Sequence, residues 1–161
     1  MPEELANRFK AIVNRKAELD RAAGLELEAK QELERENATK KEAASARWTV
    51  AVEEIEAAIT QTNKELASSG LKFGFDPGSP PTSPAIAQSC IHLTEVGDQL
   101  RRSIVLHVNA YGHVQPAFDL FARSHSPAAI RPKDFALIDA NQNTYMGLMA
   151  EFLERVFAAP P

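Results

Sequence analysis

Proline is absent from residues 3–76 of this 161-residue chain, and nine of its ten prolines follow residue 76. A proline inside a helix removes a backbone hydrogen bond and clashes with the preceding turn. The N-terminal part can therefore form long helices, whereas the rest must contain turns and extended segments. This change in composition predicts a helical, coiled-coil-like region at residues 1–70 and an α+β domain at 71–161 with a proline-rich loop at 76–84.

The segment from Thr39 to Gly70 carries the clearest helical pattern. Thr39 and Glu42 have the spacing of a capping box, and Gly70 is free to take a positive φ after the last turn. The large apolar residues recur at helical steps, which places them on one side of a helix: Trp48, Val52, Ile55, Ile59 and Leu66. We expect a helix that begins near Thr39 and ends before Gly70.

A second apolar stripe lies near the N-terminus and consists of Leu5, Phe9, Ile12 and Leu19. One helix over residues 3–69 would be about 100 Å long at ~1.5 Å per residue. The sequence leaves two solutions open: a helical hairpin that bends near residues 37–39, or a straight helix that pairs with a second copy. The heptad that puts Leu5, Ile12, Leu19 and Leu33 at one core position puts polar residues at the other, which disfavours a regular zipper: Lys16, Lys30 and Asn37.

The four stripe residues predict a homodimer, with Leu5, Phe9, Ile12 and Leu19 as the interface. The segment that would cover the stripe in a hairpin, from Leu27 to residue 47, offers after Leu27 only Leu33 and small alanines. An apolar stripe left in water favours association. The alternative is a monomer in which the stripe docks on the C-terminal domain of its own chain.

The chain after Gly70 changes to a period of two, which is typical of strands. Leu71, Phe73 and Phe75 alternate with smaller or polar residues and predict a first strand. Turn chemistry at Gly97-Asp98 and at Tyr111-Gly112 then predicts an antiparallel meander with strands near 86–95, 101–110 and 113–119. Pro116 cannot donate to a ladder, so the last strand should lie at an edge or curl away.

A C-terminal helix is predicted at about residues 140–158. Asp139 and Gln142 have capping-box spacing, and the helix carries an apolar stripe: Tyr145, Leu148, Met149, Phe152 and Val156. We expect this helix to cover the apolar face of the sheet, together with Trp48, Ile55 and Ile59. The fold class is therefore α+β: a long N-terminal helix or helical hairpin, followed by a small antiparallel β-meander packed against a C-terminal helix.

One group of polar residues could carry chemistry. If Gly97-Asp98 forms a two-residue turn, Gln88 faces His107 and Cys90 faces Val105, so several polar residues share one sheet face: Gln88, Cys90, His92, His107 and Asn109. A cysteine near a histidine can be a nucleophile with its base, and two histidines with a thiolate can hold zinc. The favoured interpretation is a solvated sheet face, and we assign no catalytic residue and no metal ligand.

Composition and motifs exclude several classes of function. The net charge of −4 argues against nucleic-acid binding, which needs excess cations. A single cysteine forms no internal disulfide, and glycine-loop, GxSxG and HExxH motifs are absent. No apolar run is long enough to span a membrane, and we expect a cytoplasmic protein without a secretory signal. The proline segment is read as a rigid connector, with a PxxP ligand built on Pro81 and Pro84 as the alternative.

From these observations we expect a non-enzymatic protein-interaction or oligomerisation module of unknown pathway, without a cofactor. The alternative is a small-ligand-binding or metal-binding protein, or an enzyme, that uses the polar sheet face around His92 and His107. A nucleic-acid-associated regulator is a third and weaker reading.

Overall fold

A computed structural model describes residues 2–78, 85–95, 102–120 and 131–158. It has the predicted α+β arrangement of a long N-terminal helix, an antiparallel sheet and a C-terminal helix. The elements in chain order are α1 (Glu3–Glu65), β1 (Leu71–Asp76), β2 (Ala85–Glu95), β3 (Arg102–Asn109), β4 (His113–Asp119), β5 (Phe135–Ala136), a 3₁₀ turn (Leu137–Asp139) and α2 (Gln142–Val156). The chain divides into two compact units, unit 1 at residues 1–39 and unit 2 at residues 40–161.

Helix α1 is one continuous helix of 63 residues, so the hairpin with a bend near residues 37–39 does not form. The prediction of a capping box at Thr39 is wrong. The Thr39 hydroxyl donates to the backbone oxygen of Arg35 at 3.0 Å, as threonine does inside a helix. Threonine suits both a helix start and an exposed helix interior, and here the backbone hydrogen bonds continue through it.

The end of α1 agrees with the sequence. Gly70 has φ of 79°, the left-handed conformation that glycine adopts without a Cβ clash. The Ser69 hydroxyl donates to the oxygen of Leu66 at 2.6 Å and accepts from the Leu71 N–H at 3.2 Å. These contacts turn the chain from the helix into strand β1.

The five strands form one antiparallel sheet in chain order, the predicted meander. The register between β2 and β3 is the predicted one: Gln88 pairs with His107, Cys90 with Val105 and Ile91 with Ile104. The turn at Gly97-Asp98, from which this register was derived, lies outside the described residues, as do residues 79–84 of the proline-rich loop.

The turn between β3 and β4 is built by the side chain of Asn109. Its Oδ1 accepts from the N–H groups of Tyr111 at 2.9 Å and His113 at 3.1 Å, and Gly112 has φ of 80°. This confirms the predicted turn at Tyr111-Gly112. Strand β5 pairs only with His113 and Val114, the first two residues of β4. At Pro116, β4 therefore has β3 as its one described neighbour, which is consistent with the missing N–H of proline.

Helix α2 begins two residues later than predicted. Its N-cap is Asn141, not Asp139: the Asn141 side chain accepts from the N–H groups of Asn143 and Thr144, and the Thr144 hydroxyl accepts from the Asn141 N–H at 3.1 Å. Asp139 instead ends the 3₁₀ turn. Asparagine caps a helix as well as aspartate does, so the spacing Asp139–Gln142 was a coincidental match.

The core of unit 2 lies between one face of the sheet, the part of α1 after residue 40, and α2. Phe152 is fully buried, and its ring lies 5.2 Å from that of Phe118 and 6.2 Å from that of Phe73, centre to centre. The predicted core set is confirmed, with Trp48 and Val156 half-buried at its border and the others buried: Ile55, Ile59, Leu106, Val108 and Phe152.

Candidate functional site

The outer face of the sheet carries the polar residues that the sequence grouped together. Along β2 and β3, the buried core residues alternate with these polar residues, so the polar residues lie on the sheet face opposite the core. Gln88 is exposed and the other four are half-buried: Cys90, His92, His107 and Asn109. The structure therefore places all five on one face, in the predicted register.

The imidazole of His92 lies over Gly74 of the neighbouring strand β1. These two residues are a cross-strand pair, and a Cβ built on Gly74 would be 3.0 Å from Cδ2 and 3.1 Å from Nε2 of His92. The ring fills the space that a side chain at residue 74 would occupy. An aromatic ring over a strand glycine is a known device for stabilising a sheet edge, so His92 has a structural task here.

His92 and His107 are not brought together. His92 pairs with Ser103, four residues along β3 from His107, which puts the two Cα atoms about 14 Å apart at ~3.4 Å per residue and ~4.8 Å between strands. The His92 ring also lies toward β1, on the side away from β3. Joint binding of one zinc ion by these two imidazoles does not fit this arrangement.

The structure adds two carboxylates to this face that are not among the five residues grouped from the sequence. Asp76 of β1 pairs with Cys90, and Asp119 of β4 pairs with Ser103, the residue beside His92. A two-residue turn at Tyr111-Gly112 would set Asp119 opposite Ile104, whereas the observed register is shifted by one residue and sets Asp119 opposite Ser103, so the position of Asp119 was not predictable by the pairing arithmetic used for β2 and β3. The position of Asp76 depends on the long, proline-rich connection between β1 and β2, from whose sequence no pairing register can be counted.

Two of the grouped acceptors already serve the backbone. The Asn109 oxygen holds the β3–β4 turn, as described above, and Asp76 Oδ1 accepts from the Gly78 N–H at 2.9 Å. Among the described residues, no three histidine, cysteine, aspartate or glutamate side chains are grouped so that they would hold a metal ion. The outer face thus offers scattered polar groups that mainly support strands and turns.

Unit 1 offers a different kind of surface. Every described residue of unit 1 is exposed, including the predicted interface residues Leu5 (39%), Phe9 (54%), Ile12 (62%) and Leu19 (53%). Four further large apolar side chains of this unit are exposed: Val13, Leu25, Leu27 and Leu33. The sequence analysis did not count Val13, Leu25 and Leu27 because they lie beside the stripe rather than on it.

A charged cluster in unit 2 was missed by the sequence analysis. Arg47 donates through Nη1 to Glu54 Oε1 and through Nη2 to the backbone oxygen of Ala140, both at 2.7 Å, and three-quarters or more of each charged side chain is buried. Arg47 thereby ties α1 to the segment that leads into α2. The sequence does contain a pattern that indicates this cluster: Arg47 and Glu54 are seven residues apart, on the helix face that also carries Trp48 and Ile55.

Tyr145 lies near this pair. Its hydroxyl is buried and has no hydrogen-bond partner among the described residues. Burial raises the pKa of the Tyr145 hydroxyl to about 12, with a smaller contribution from the Glu54 carboxylate and an opposing one from Arg47. The phenol therefore stays neutral over the physiological range, and its ring packs edge-on against Phe135 at 5.9 Å.

Comparison of the chain with protein-family models, with curated proteins and with solved structures gave no match. Neither helix in the described ranges has an apolar stretch long enough to cross a membrane. The function must therefore be inferred from the residues and their geometry.

Proposed function

We propose that this protein is a non-enzymatic self-association module, in which the helix of unit 1 pairs with the same helix of a second copy. The observation that carries the proposal is the exposure of the whole of unit 1 together with eight large apolar side chains on it. Scattered apolar residues on a surface are normal. A row of them at helical spacing is typical of a helix that pairs with another helix.

The energetics support association of moderate strength. Full burial of a large aliphatic or aromatic side chain contributes about 1.5–3 kcal/mol. Covering the four stripe residues on each of two copies would then contribute roughly 12–24 kcal/mol before any discount for partial exposure. Association costs about 4–15 kcal/mol in lost freedom. At the middle of both ranges about 8 kcal/mol remains, which corresponds to a reversible dimer with a Kd of about 1 μM.

The test is the molar mass of the full chain in solution, measured by light scattering after size exclusion at tens of micromolar. The monomer mass is 17.7 kDa, and we expect twice that value. A mass of one chain at this concentration would contradict the proposal.

A matched pair of variants locates the interface. Leu19→Gln replaces a stripe residue, and Leu25→Gln makes the same change at an exposed leucine off the stripe. Glutamine and leucine have similar helix propensities, so both variants keep the helix. We expect Leu19→Gln to shift the protein toward the monomer and Leu25→Gln to leave the dimer intact. Equal effects of the two changes would argue against the stripe as the interface.

A further inference from the structure

Two stretches of the unit 1 helix carry opposite net charges. Residues 8–21 contain five basic and two acidic side chains, and residues 26–36 contain five acidic and two basic ones. A parallel pair would place each stretch beside its own copy, which has the same sign, whereas an antiparallel pair places the basic stretch beside the acidic one. Juxtaposed like charges disfavour a pairing and complementary charges select it.

The residues that face a partner helix show the same preference. We call the two core positions of the heptad the seam. One position holds Leu5, Ile12, Leu19, Glu26 and Leu33, and the other holds Phe9, Lys16, Ala23, Lys30 and Asn37. In a parallel pair in register, each seam residue meets its own copy. Lys16, Glu26 and Lys30 would then each face a like charge.

From this pattern we infer that two copies of the chain pair antiparallel through unit 1, with Phe9 of one copy opposite the partner's Leu33. The inference rests on the proposed self-association and adds its direction and register. Antiparallel pairing sets one seam position against the other, and this register places Lys16 opposite the partner's Glu26. A shift by one heptad in either direction would instead place Lys16 opposite the partner's Leu19 or the partner's Leu33, so the charged pair selects the register.

The positions beside the seam fit the same register. In antiparallel helices, flanking residues of the same heptad position meet across the interface. Arg8 then lies beside the partner's Glu36, a complementary pair, and Val13 lies beside the partner's Leu27, an apolar one. Val13 is 65% exposed and Leu27 is 56% exposed in the single chain. The register thus covers two apolar side chains that the stripe alone leaves in water.

The register also matches the length of unit 1. It sets Glu3, where α1 begins, opposite the partner's Thr39, where unit 1 ends, so the pairing extends over the whole unit. One like-charge contact results, because Asp20 meets the partner's Asp20 at the two-fold axis. The Asp20 side chain is 64% exposed, so solvent weakens that repulsion.

Charge reversal of the full chain tests the direction of pairing. Lys16→Glu or Glu26→Lys alone would create like-charge pairs in the antiparallel dimer, and the double variant would restore complementary pairs. We expect each single change to weaken dimerisation at least tenfold, measured by sedimentation equilibrium, and the double variant to recover to within about threefold of wild type, since a 1.4 kcal/mol difference corresponds to a factor of ten. Lys10→Glu with Glu28→Lys, two changes off the seam, is the matched control and should have little effect.

A parallel dimer gives a different result. In a parallel dimer residue 16 faces its own copy, and so does residue 26, so each of these pairs still has two like charges after any reversal. The single variants would then show no loss of dimerisation that the double variant recovers. Dimerisation that falls with a single reversal and does not recover in the double variant would also overturn the register. In both cases a wild-type dimer would remain, so the proposed self-association would stand; a monomeric wild type would remove both.

Disulfide trapping provides a second, independent measurement. In a Cys90→Ser background, Ile12→Cys and Lys30→Cys are made as separate full-length proteins. The register sets residue 12 opposite residue 30 of the partner, while two copies of residue 12 are about 27 Å apart at ~1.5 Å per residue. We expect a disulfide-linked dimer only when the two proteins are mixed under oxidising conditions. Dimers formed by each protein alone would show parallel pairing and overturn the inference.

Discussion

The side chain of Asn63 in α1 forms two hydrogen bonds with the backbone of Phe73 in β1. Asn63 Nδ2 donates to the Phe73 oxygen at 3.0 Å, and the Phe73 N–H donates to Asn63 Oδ1 at 2.8 Å. The amide thereby imitates a neighbouring strand. Because β1 is an edge of the sheet, this pair satisfies backbone groups that would otherwise be open to pairing with another chain.

Replacing Asn63 tests this cap on the sheet edge. Asn63→Ala removes both hydrogen bonds and leaves the N–H and C=O groups of Phe73 without these partners. We expect the free energy of unfolding to fall by about 1–3 kcal/mol, measured by urea denaturation. Lys64→Ala, on an exposed neighbour in the same helical turn, should change stability by less than about 0.5 kcal/mol. Equal and small effects would mean that water replaces the amide without cost.

The pair of Gly74 and His92 makes a prediction about coupling. Gly74→Ala places a methyl group against the His92 ring and should destabilise the protein, because the ring must move by a few tenths of an ångström. His92→Ala removes the obstacle, so the same Gly74→Ala change in that background should be neutral or stabilising, since alanine orders more easily than glycine in a strand.

A double-mutant cycle by urea denaturation measures this coupling. We expect an interaction energy of about 0.5–1 kcal/mol or more, the range typical of residues in contact. His107→Ala replaces His92→Ala in the control cycle, because His107 pairs with Gln88 and not with β1. Additive effects in both cycles would show that the imidazole does not cover Gly74.

The parts of this fold that were predictable from sequence share a property: each depends on a local pattern. The α1 and α2 stripes follow from helical spacing, and the pairing of Ile91 with Ile104 follows from two turn residues, Gly97 and Asp98. Thr39 shows the limit of local patterns, because the same residue type occurs at helix starts and inside helices.

What could not be predicted depends on side chains that meet across long stretches of chain. The sequence between β1 and β2 offers no two-residue turn from which their register can be counted, so neither Gly74 beneath His92 nor Asp76 beside Cys90 was visible in the sequence. Asn63 and Arg47 read as exposed polar residues of a helix, since nothing nearby in the chain identifies Phe73 or Ala140 as their partners. For the candidate site on the outer face, the sequence predicted which residues pair between β2 and β3. It did not predict the contacts that these residues make, such as that of His92 with Gly74.

The last prediction concerns stability at alkaline pH. The pKa of the Tyr145 hydroxyl rises from 10.0 to about 12 in the folded chain, chiefly because the group is buried. Between these values the unfolded chain has lost this proton and the folded chain keeps it, so stability is fully present below pH 10 and falls as the pH rises toward 12. The loss from this group should be on the order of 2–3 kcal/mol across the window.

Tyr145→Phe isolates that contribution, because it removes the ionisable hydroxyl and keeps the ring. At neutral pH the change should cost little or even stabilise the protein, since the hydroxyl is buried without a partner among the described residues. Above pH 10, urea denaturation should show a shallower loss of stability for Tyr145→Phe than for wild type. Tyr111→Phe, at a tyrosine that is 65% exposed, should keep the wild-type slope. If wild type and Tyr145→Phe lose stability in parallel between pH 10 and 12, the Tyr145 hydroxyl titrates in the folded chain as it does in water, and its burial away from hydrogen-bond partners is wrong.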